Sequence, residues 1–232
     1  RGWLLPSSEE LPLMLMLGVA PGAPQSDPEV GAGLADAGAD RDEVFLVTKI
    51  PPSSLDREGV RTTVEASLNA LGTWIDLLLI HWPNDSVPLS ETLAAMRAEQ
   101  DAERVRHLGV SNFSLGLVEE ARNHAEIVCD QVEHHPFTSQ DELVDAAADL
   151  ELLVTAYSPL AKGRVLRDDT LTDIAESHGA SPAQVALAWL VAQPQVTAIP
   201  KAASHEHRAA NLEALDLELT AAERDRIGAL AR

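Results

Sequence analysis

The stretch Ile75-Asp76-Leu77-Leu78-Leu79-Ile80-His81-Trp82-Pro83 decides the fold of this chain. Its apolar run is short and a proline closes it, which favours a strand buried on both faces over a helix. An imidazole directly after such a strand lies where barrels and open α/β sheets place their chemistry. For a lone histidine, packing in the core is the commoner explanation, so the rest of the chain has to decide the role of His81.

Five further apolar segments predict strands, at residues 44–50, 105–110, 127–133, 152–157 and 196–199. Amphipathic segments between and after them predict helices, at 29–37, 56–72, from Ser90 onward, 114–124, after Ser139, 170–178, 181–193, 205–214 and 220–231. Strands that alternate with helices in this way form parallel βαβ units. We therefore expect an α/β protein, either a doubly wound sheet or a (β/α)8 TIM barrel. A barrel needs eight units, and residues 1–40 have room for about one strand and one helix beyond the six.

Three helix starts carry the pattern of a capping box, in which a Ser or Thr precedes a Glu or Gln by three residues. The predicted pairs are Ser139 with Glu142, Ser181 with Gln184, and Thr220 with Glu223.

The composition excludes several classes of partner. The 232 residues carry a net charge of -20 and only three lysines, which argues against nucleic acid or an anionic membrane as a partner and suits a soluble protein in high salt. No run approaches the roughly 18 apolar residues of a membrane span. Cys129 is the single cysteine, so we expect no disulfide framework and a reducing, cytoplasmic location. We also expect a monomer.

Polar or aromatic residues recur where the six predicted strands end. One such residue carries no information, but six sets together predict a ring of groups at the catalytic face of a barrel. No Gly-x-Gly-x-x-Gly motif follows any strand, so a bound nucleotide would lack the Rossmann fingerprint. The strand-end residues are Lys49, His81 with Trp82, Ser111 with Asn112, Gln131 with Glu133, Tyr157 with Ser158, and Lys201.

Six segments of the chain, in order and at the same spacing, resemble the aldo-keto reductase family. They are residues 42–49, 76–83, 106–113, 131–136, 156–160 and 199–201, and the resemblance extends over about 28–220. It implies a (β/α)8 barrel that transfers hydride between NADPH or NADH and a small carbonyl or alcohol substrate.

The resemblance also implies roles for individual residues. Lys49 is similar to the lysine that lowers the pKa of a catalytic tyrosine, and His81 to the histidine that orients the substrate carbonyl, with Trp82 lining the substrate pocket. The implied cofactor-binding residues are Ser111, Asn112 and Gln131 at the nicotinamide amide, Tyr157 stacked on the ring, Ser158 and Leu160 along the pyrophosphate, Lys201 and Arg208 at the adenosine 2′-phosphate, and Asn211 near the adenine.

The chain departs from the family pattern before residue 28. The family's catalytic Asp and Tyr precede a Glu-Val-Gly segment, and counting back from Glu29 places them at Val19 and Pro24, neither of which can transfer a proton. We therefore expect an irregular or truncated segment at 1–27, a barrel domain at 28–232 that lacks one or two strand-helix units, and impaired reductase activity. The alternative is a non-catalytic barrel remnant that binds nucleotide or is inert.

Two narrower questions concern the cofactor and a rival chemistry. Where the family often has Ser and Arg at the 2′-phosphate, this chain has Ala202 and His207, so Lys201 and Arg208 favour NADPH while NADH stays open. The adjacent His134 and His135 suggest a metal-dependent barrel hydrolase. However, the sequence has no His-x-His on a first strand and no strand-end Asp late in the chain, so we expect no metal.

Overall fold

The computed structural model describes residues 26–38 and 40–231, and the chain divides within β4 into two compact units, with the boundary between Asp130 and Gln131. The expected irregular segment 1–27, including Val19 and Pro24, lies almost entirely outside the described residues. The elements of the first unit are α1 Ser26–Ala37, β1 Val47–Ile50, α2 Arg57–Leu71, β2 Ile75–Ile80, α3 Leu89–Asp101, β3 Val105–Ser111, α4 Leu115–Arg122 and the start of β4 Ile127–Glu133. Those of the second unit are the end of β4, α5 Asp141–Ala147, β5 Leu153–Tyr157, α6 Asp169–His178, α7 Pro182–Val191, β6 Val196–Ala198, α8 His205–Glu213 and α9 Ala221–Gly228.

In the first unit, β1, β2 and β3 pair in parallel in chain order. Every residue of β2 is buried, as the apolar run predicts for a strand covered on both faces. The register places Lys49 beside Leu79, and Leu79 beside Gly109. Parallel neighbours in register point to the same face of a sheet, so this row is the layer on which the site is built.

The first predicted strand is shorter than the sequence indicates, because residues 44–46 do not join the regular ladder. The backbone N–H of Leu46 donates to the side-chain carboxylate of Asp76 at 2.8 Å instead of to a backbone carbonyl of a neighbouring strand. The same carboxylate accepts from Arg41 at 2.5 Å and from Arg106 at 2.8 Å, and both guanidinium groups lie over the Trp74 ring. The acidic residue that interrupts the apolar run is thus the centre of a buried ion network, a role that the sequence did not reveal.

The helices of the first unit follow their predicted boundaries closely. Asp56 caps α2 by accepting from the N–H of Gly59 at 2.7 Å, and Gly72 ends it in a left-handed conformation with φ 70°. Helix α3 begins one residue before the predicted Ser90, directly after Pro88.

In the second unit, β5 pairs in parallel with β6. The capping boxes at Ser181 and Thr220 are confirmed. The box predicted at Ser139 is wrong, because the Ser139 hydroxyl bonds the carboxylate of Asp141 and helix α5 begins there without a side-chain cap. Within the described residues, each helix is too short or too polar to cross a membrane.

Candidate active site

Lys49 lies at the end of β1 and is largely buried. Among the residues that the structure describes, none forms a hydrogen bond or an ion pair with its ammonium group. Burial lowers the pKa of Lys49 to about 8, and the nearby Cys129 thiol opposes part of this shift. The lysine can therefore exchange a proton near neutral pH.

His81 follows β2 on the same face as Lys49, because it lies two residues beyond Leu79, the register partner of Lys49. Its backbone N–H donates to the Ile50 carbonyl at 3.0 Å, which continues the β1–β2 pairing past the strand end. Burial lowers the pKa of His81, and the positive charge of Lys49 lowers it further. The imidazole is thus held neutral near physiological pH, the state in which one ring nitrogen donates and the other accepts.

Ser111 and Asn112 form the turn at the end of β3. Asn112 adopts a left-handed conformation with φ 63°, which asparagine tolerates better than most residues. Its amide donates to the His81 carbonyl at 3.1 Å and to the Ser111 hydroxyl at 3.0 Å. The side chain therefore ties the turn after β3 to the backbone of the candidate catalytic histidine.

Trp82 is the one predicted substrate-binding residue besides His81, and 45% of its surface is exposed. A tryptophan this exposed contributes little to the core, which fits a role at the rim of a pocket. A cleft of about 250 Å³ lies nearby, lined by residues that include Ile80, Pro83 and Phe113. None of the predicted catalytic residues lines this cleft, so it is not the site itself.

Asp130 is a buried carboxyl group that the sequence interpretation missed. It is 0% exposed, and neither of its oxygens has a hydrogen-bond partner of ordinary geometry among the described residues. Burial raises the pKa of Asp130 to about 7, although the backbone N–H of Phe113 favours the charged form. The signal was an acidic residue inside an apolar strand, directly before the predicted cofactor residue Gln131.

In the second unit, Gln131 is almost fully buried, and Tyr157 ends β5 half-buried. Burial raises the pKa of the Tyr157 phenol, and the neighbouring Glu133 carboxylate raises it further. A tyrosine with a raised pKa stays protonated and is a poor source of phenolate at neutral pH. This environment fits the stacking role that the resemblance implies for Tyr157.

The chain after β5 is strained. Ser158, Ala161, Lys162 and Gly163 all have positive φ, between 47° and 86°. Such conformations cluster at ligand-binding segments, and successive backbone N–H groups in turns of this kind form concavities that hold anions. The predicted residues Ser158 and Leu160 lie in this segment, as do the cations Lys162 and Arg164, which the sequence interpretation did not select.

The three remaining predicted residues lie after β6. Lys201 and Arg208 are exposed, and Asn211 is buried on α8. The Arg208 guanidinium donates to the Ala203 carbonyl at 3.0 Å, which uses one of its five N–H groups. Lys201 and Arg208 are thus two cations accessible to solvent.

The histidine pair does not support the rival metal chemistry. His134 is fully buried, with one ring nitrogen 3.1 Å from the Thr138 carbonyl and the other 3.1 Å from the Gln193 side chain. Its ring also packs on Trp189. Within 26–38 and 40–231 no cluster of three or more His, Cys, Asp or Glu residues could hold a metal ion. His134 is therefore a structural residue.

Comparison with known proteins decides the family. The aldo/keto reductase family model matches residues 22–232. This chain belongs to the aldo/keto reductase family. Three curated relatives of this aldo/keto reductase are an aldo-keto reductase of Mycolicibacterium smegmatis (36% identical, 84% of this chain and 72% of the relative), methylglyoxal reductase DkgB of Salmonella typhi (34%, 87% and 77%) and glyoxal reductase of Bacillus subtilis (36%, 87% and 73%).

Solved structures agree with this assignment. A thermostable aldo-keto reductase crystallised with the inhibitor epalrestat matches at a TM-score of 0.83 and 37% identity, over 88% of this chain and 77% of that one. The aldo/keto reductase of Klebsiella pneumoniae, solved with NADP and acetate, matches at a TM-score of 0.82 and 31% identity, over 90% of this chain and 76% of that one. The predicted α/β fold of (β/α)8 type is thus confirmed, while the expectation that its first one or two strand-helix units are missing or irregular falls on residues outside the described part of the chain.

Proposed function

We propose that this aldo/keto reductase is an NADPH-dependent enzyme that reduces small aldehydes or ketones to alcohols, at a rate lowered by the absence of a tyrosine acid. The observation that carries the proposal is that Lys49 and His81 lie on the same face of two adjacent parallel strands. His81 comes two residues after Leu79, the register partner of Lys49. A neutral imidazole held by backbone pairing can donate a hydrogen bond to a carbonyl oxygen.

Residues of each unit, taken separately, suit parts of a nicotinamide dinucleotide. In the second unit, the strained segment after β5 offers backbone N–H groups to a pyrophosphate, and Lys201 with Arg208 offers cations to an adenosine 2′-phosphate. In the first unit, Ser111 and Asn112 supply polar groups for a carboxamide. When bound, the reduced cofactor supplies the hydride. That the Klebsiella relative was solved with NADP supports NADPH over NADH.

The substrate proposal rests on the relatives as well as on the site. Two of them are named as reductases of methylglyoxal and glyoxal, so small α-oxoaldehydes are the first substrates to test. The exposed Trp82 beside His81 would cover one side of such a substrate.

The proposed loss of rate concerns the proton that must reach the carbonyl oxygen. Tyr157 is the single tyrosine in the 232 residues, and its raised pKa and its position fit stacking. Without a dedicated acid, we expect a rate lower by about 10²- to 10⁴-fold than with one. The second candidate is a barrel that binds NADPH without turnover. It is favoured by the same observation, because a single tyrosine that stacks on the cofactor leaves no tyrosine to give the proton.

One experiment separates these possibilities. NADPH binding is followed by tryptophan fluorescence in high salt, and NADPH consumption is then followed with methylglyoxal. Slow consumption that disappears in His81→Ala supports the reductase, whereas saturable binding without consumption identifies the binding barrel. The variant Tyr157→Phe keeps the ring but not the proton, so it retains both binding and rate if Tyr157 stacks. Absence of binding by a folded chain would overturn the proposal.

A further inference from the structure

The amine of Lys49 differs from the other amines of the chain. The sequence contains three lysines, and the side chains of Lys162 and Lys201 are exposed to solvent. Lys49 is largely buried but keeps some exposure to solvent. Within the described part of the chain, no carboxylate or hydrogen-bond acceptor pairs with its ammonium group. An ammonium group without a counter-ion in a desolvated place favours its neutral, nucleophilic form.

The surroundings of Lys49 explain this desolvation. Its register partner Leu79 leans toward Gly109, where a Cβ atom would lie 2.6 Å from the leucine Cδ2 and 2.7 Å from the carbonyl oxygen of Cys129. This row of the sheet is packed so tightly that only glycine fits at residue 109. Lys49 is in register with this apolar row, and burial is the larger cause of its lowered pKa.

The titratable group that acts on the pKa of Lys49 is Cys129 on β4, and Lys49 in turn lowers the pKa of His81 at the adjacent strand end. Burial brings the pKa of the lysine to about 8, which leaves roughly half of the amine neutral at pH 8. An ordinary lysine with a pKa of about 10.4 is about 0.4% neutral at that pH. The neutral fraction is thus about 100-fold higher in Lys49.

We propose that Lys49 is a covalent site for aldehydes, at which the Nζ atom forms a reversible imine. The Nζ lone pair attacks the aldehyde carbon, and the carbonyl π electrons move to oxygen, which takes the proton that the attacking nitrogen gives up, so that a carbinolamine forms. The carbinolamine then loses its hydroxyl group with a proton as water, and the C=N bond forms. No oxidant or reductant is consumed, and the step needs no nicotinamide.

His81 favours this chemistry in two ways. Its imidazole lies on the same face as Lys49 and, being neutral, can accept a proton from the attacking amine and return it to the departing hydroxyl group. It also adds no negative charge that would hold the lysine as an ammonium. The geometry that supports carbonyl reduction thus also supports carbonyl capture by the lysine itself.

The test is reductive trapping on the full chain without NADPH. The folded protein in high salt is incubated with propionaldehyde and cyanoborohydride, which reduces an imine to a stable secondary amine, and peptides are quantified by mass spectrometry. The exposed Lys162 and Lys201 are internal controls in the same sample. We expect initial labelling of Lys49 at pH 7.5 to be at least tenfold faster than that of either control.

Two further measurements separate this site from general reactivity. In guanidinium chloride the advantage of Lys49 disappears, because desolvation is lost with the fold. The labelling rate of Lys49 in the folded chain levels off above pH 8, where its amine is already neutral. Equal labelling of the three lysines in the folded chain, or a Lys49 advantage that persists after unfolding, would overturn the proposal. Neither result bears on NADPH binding, so the reductase proposal is tested separately.

Discussion

Replacing Asp130 by Asn should stabilise the protein at alkaline pH and not at acidic pH. The side chain is completely buried in β4, and neither carboxylate oxygen has a hydrogen-bond partner of ordinary geometry among the described residues. Burial raises the pKa of Asp130 from 3.8 to about 7. The folded state therefore holds a proton that the unfolded chain has already released at pH 5 or 6.

The sign and size of the effect follow from proton linkage. Where the folded state binds more protons than the unfolded state, stability falls as pH rises. For Asp130 this loss runs from about pH 4 to pH 7, at about 1.4 kcal/mol per pH unit, which sums to about 4 kcal/mol. The Asn side chain removes this loss, but burying an unpaired amide costs about 1–3 kcal/mol. We therefore expect a net gain of about 1–3 kcal/mol at pH 8.

The assay is urea unfolding followed by tryptophan fluorescence, at pH 5 and at pH 8, for both chains. The wild-type chain should lose stability between the two pH values relative to Asp130→Asn, so that the difference between the chains grows with pH. Asp85→Asn is the matched control, because Asp85 is exposed in the turn after β2 and should show no such growth. A difference between wild type and Asp130→Asn that is the same at both pH values would refute the reasoning.

Three other substitutions test the first unit. In Lys49→Met the pKa of His81 should rise, while staying below its ordinary value because burial remains the larger cause, and NMR titration of the imidazole measures this. Asp76→Ala leaves two arginines without their buried partner and should cost about 3–5 kcal/mol in urea unfolding, whereas Asp42→Ala, which removes an exposed partner, should cost under about 1 kcal/mol. Gly109→Ala forces a Cβ against the backbone of β4 and should cost about 1–3 kcal/mol.

These predictions have controls within the chain. Lys201→Met should leave the His81 titration unchanged, and a His81 pKa that does not move in Lys49→Met would show that the two groups do not interact. Gly116→Ala meets nothing within 4 Å and lies inside α4, so it should be neutral or stabilising. Equal stability losses in the Gly109 and Gly116 variants, or in the Asp76 and Asp42 variants, would contradict the packing and ion-network arguments.

The alternation of strands and helices was predictable from the sequence because, in most segments, the spacing of the apolar residues agrees with the residues that begin and end each element. Capping residues such as Ser181 and Thr220 mark helix starts by hydrogen bonds that are local in sequence. The capping box at Ser139 fails because its hydroxyl has a closer local acceptor in Asp141, and the pattern does not encode that competition. Short-range hydrogen bonding thus decides both the successes and the error.

The candidate site was predictable only in part. Strand-end residues such as Lys49 and His81 were found because parallel strands end at the same edge of a sheet. The ion network of Asp76 with Arg41 and Arg106 joins residues about 30 positions apart, which no local pattern reveals.

The most direct test of the proposed function is a titration of the chain with NADPH in high salt, followed by tryptophan fluorescence, with methylglyoxal added at saturation. We expect saturable quenching, followed by slow NADPH loss that depends on His81. No quenching by NADPH in a chain whose circular dichroism shows a folded α/β protein would contradict it.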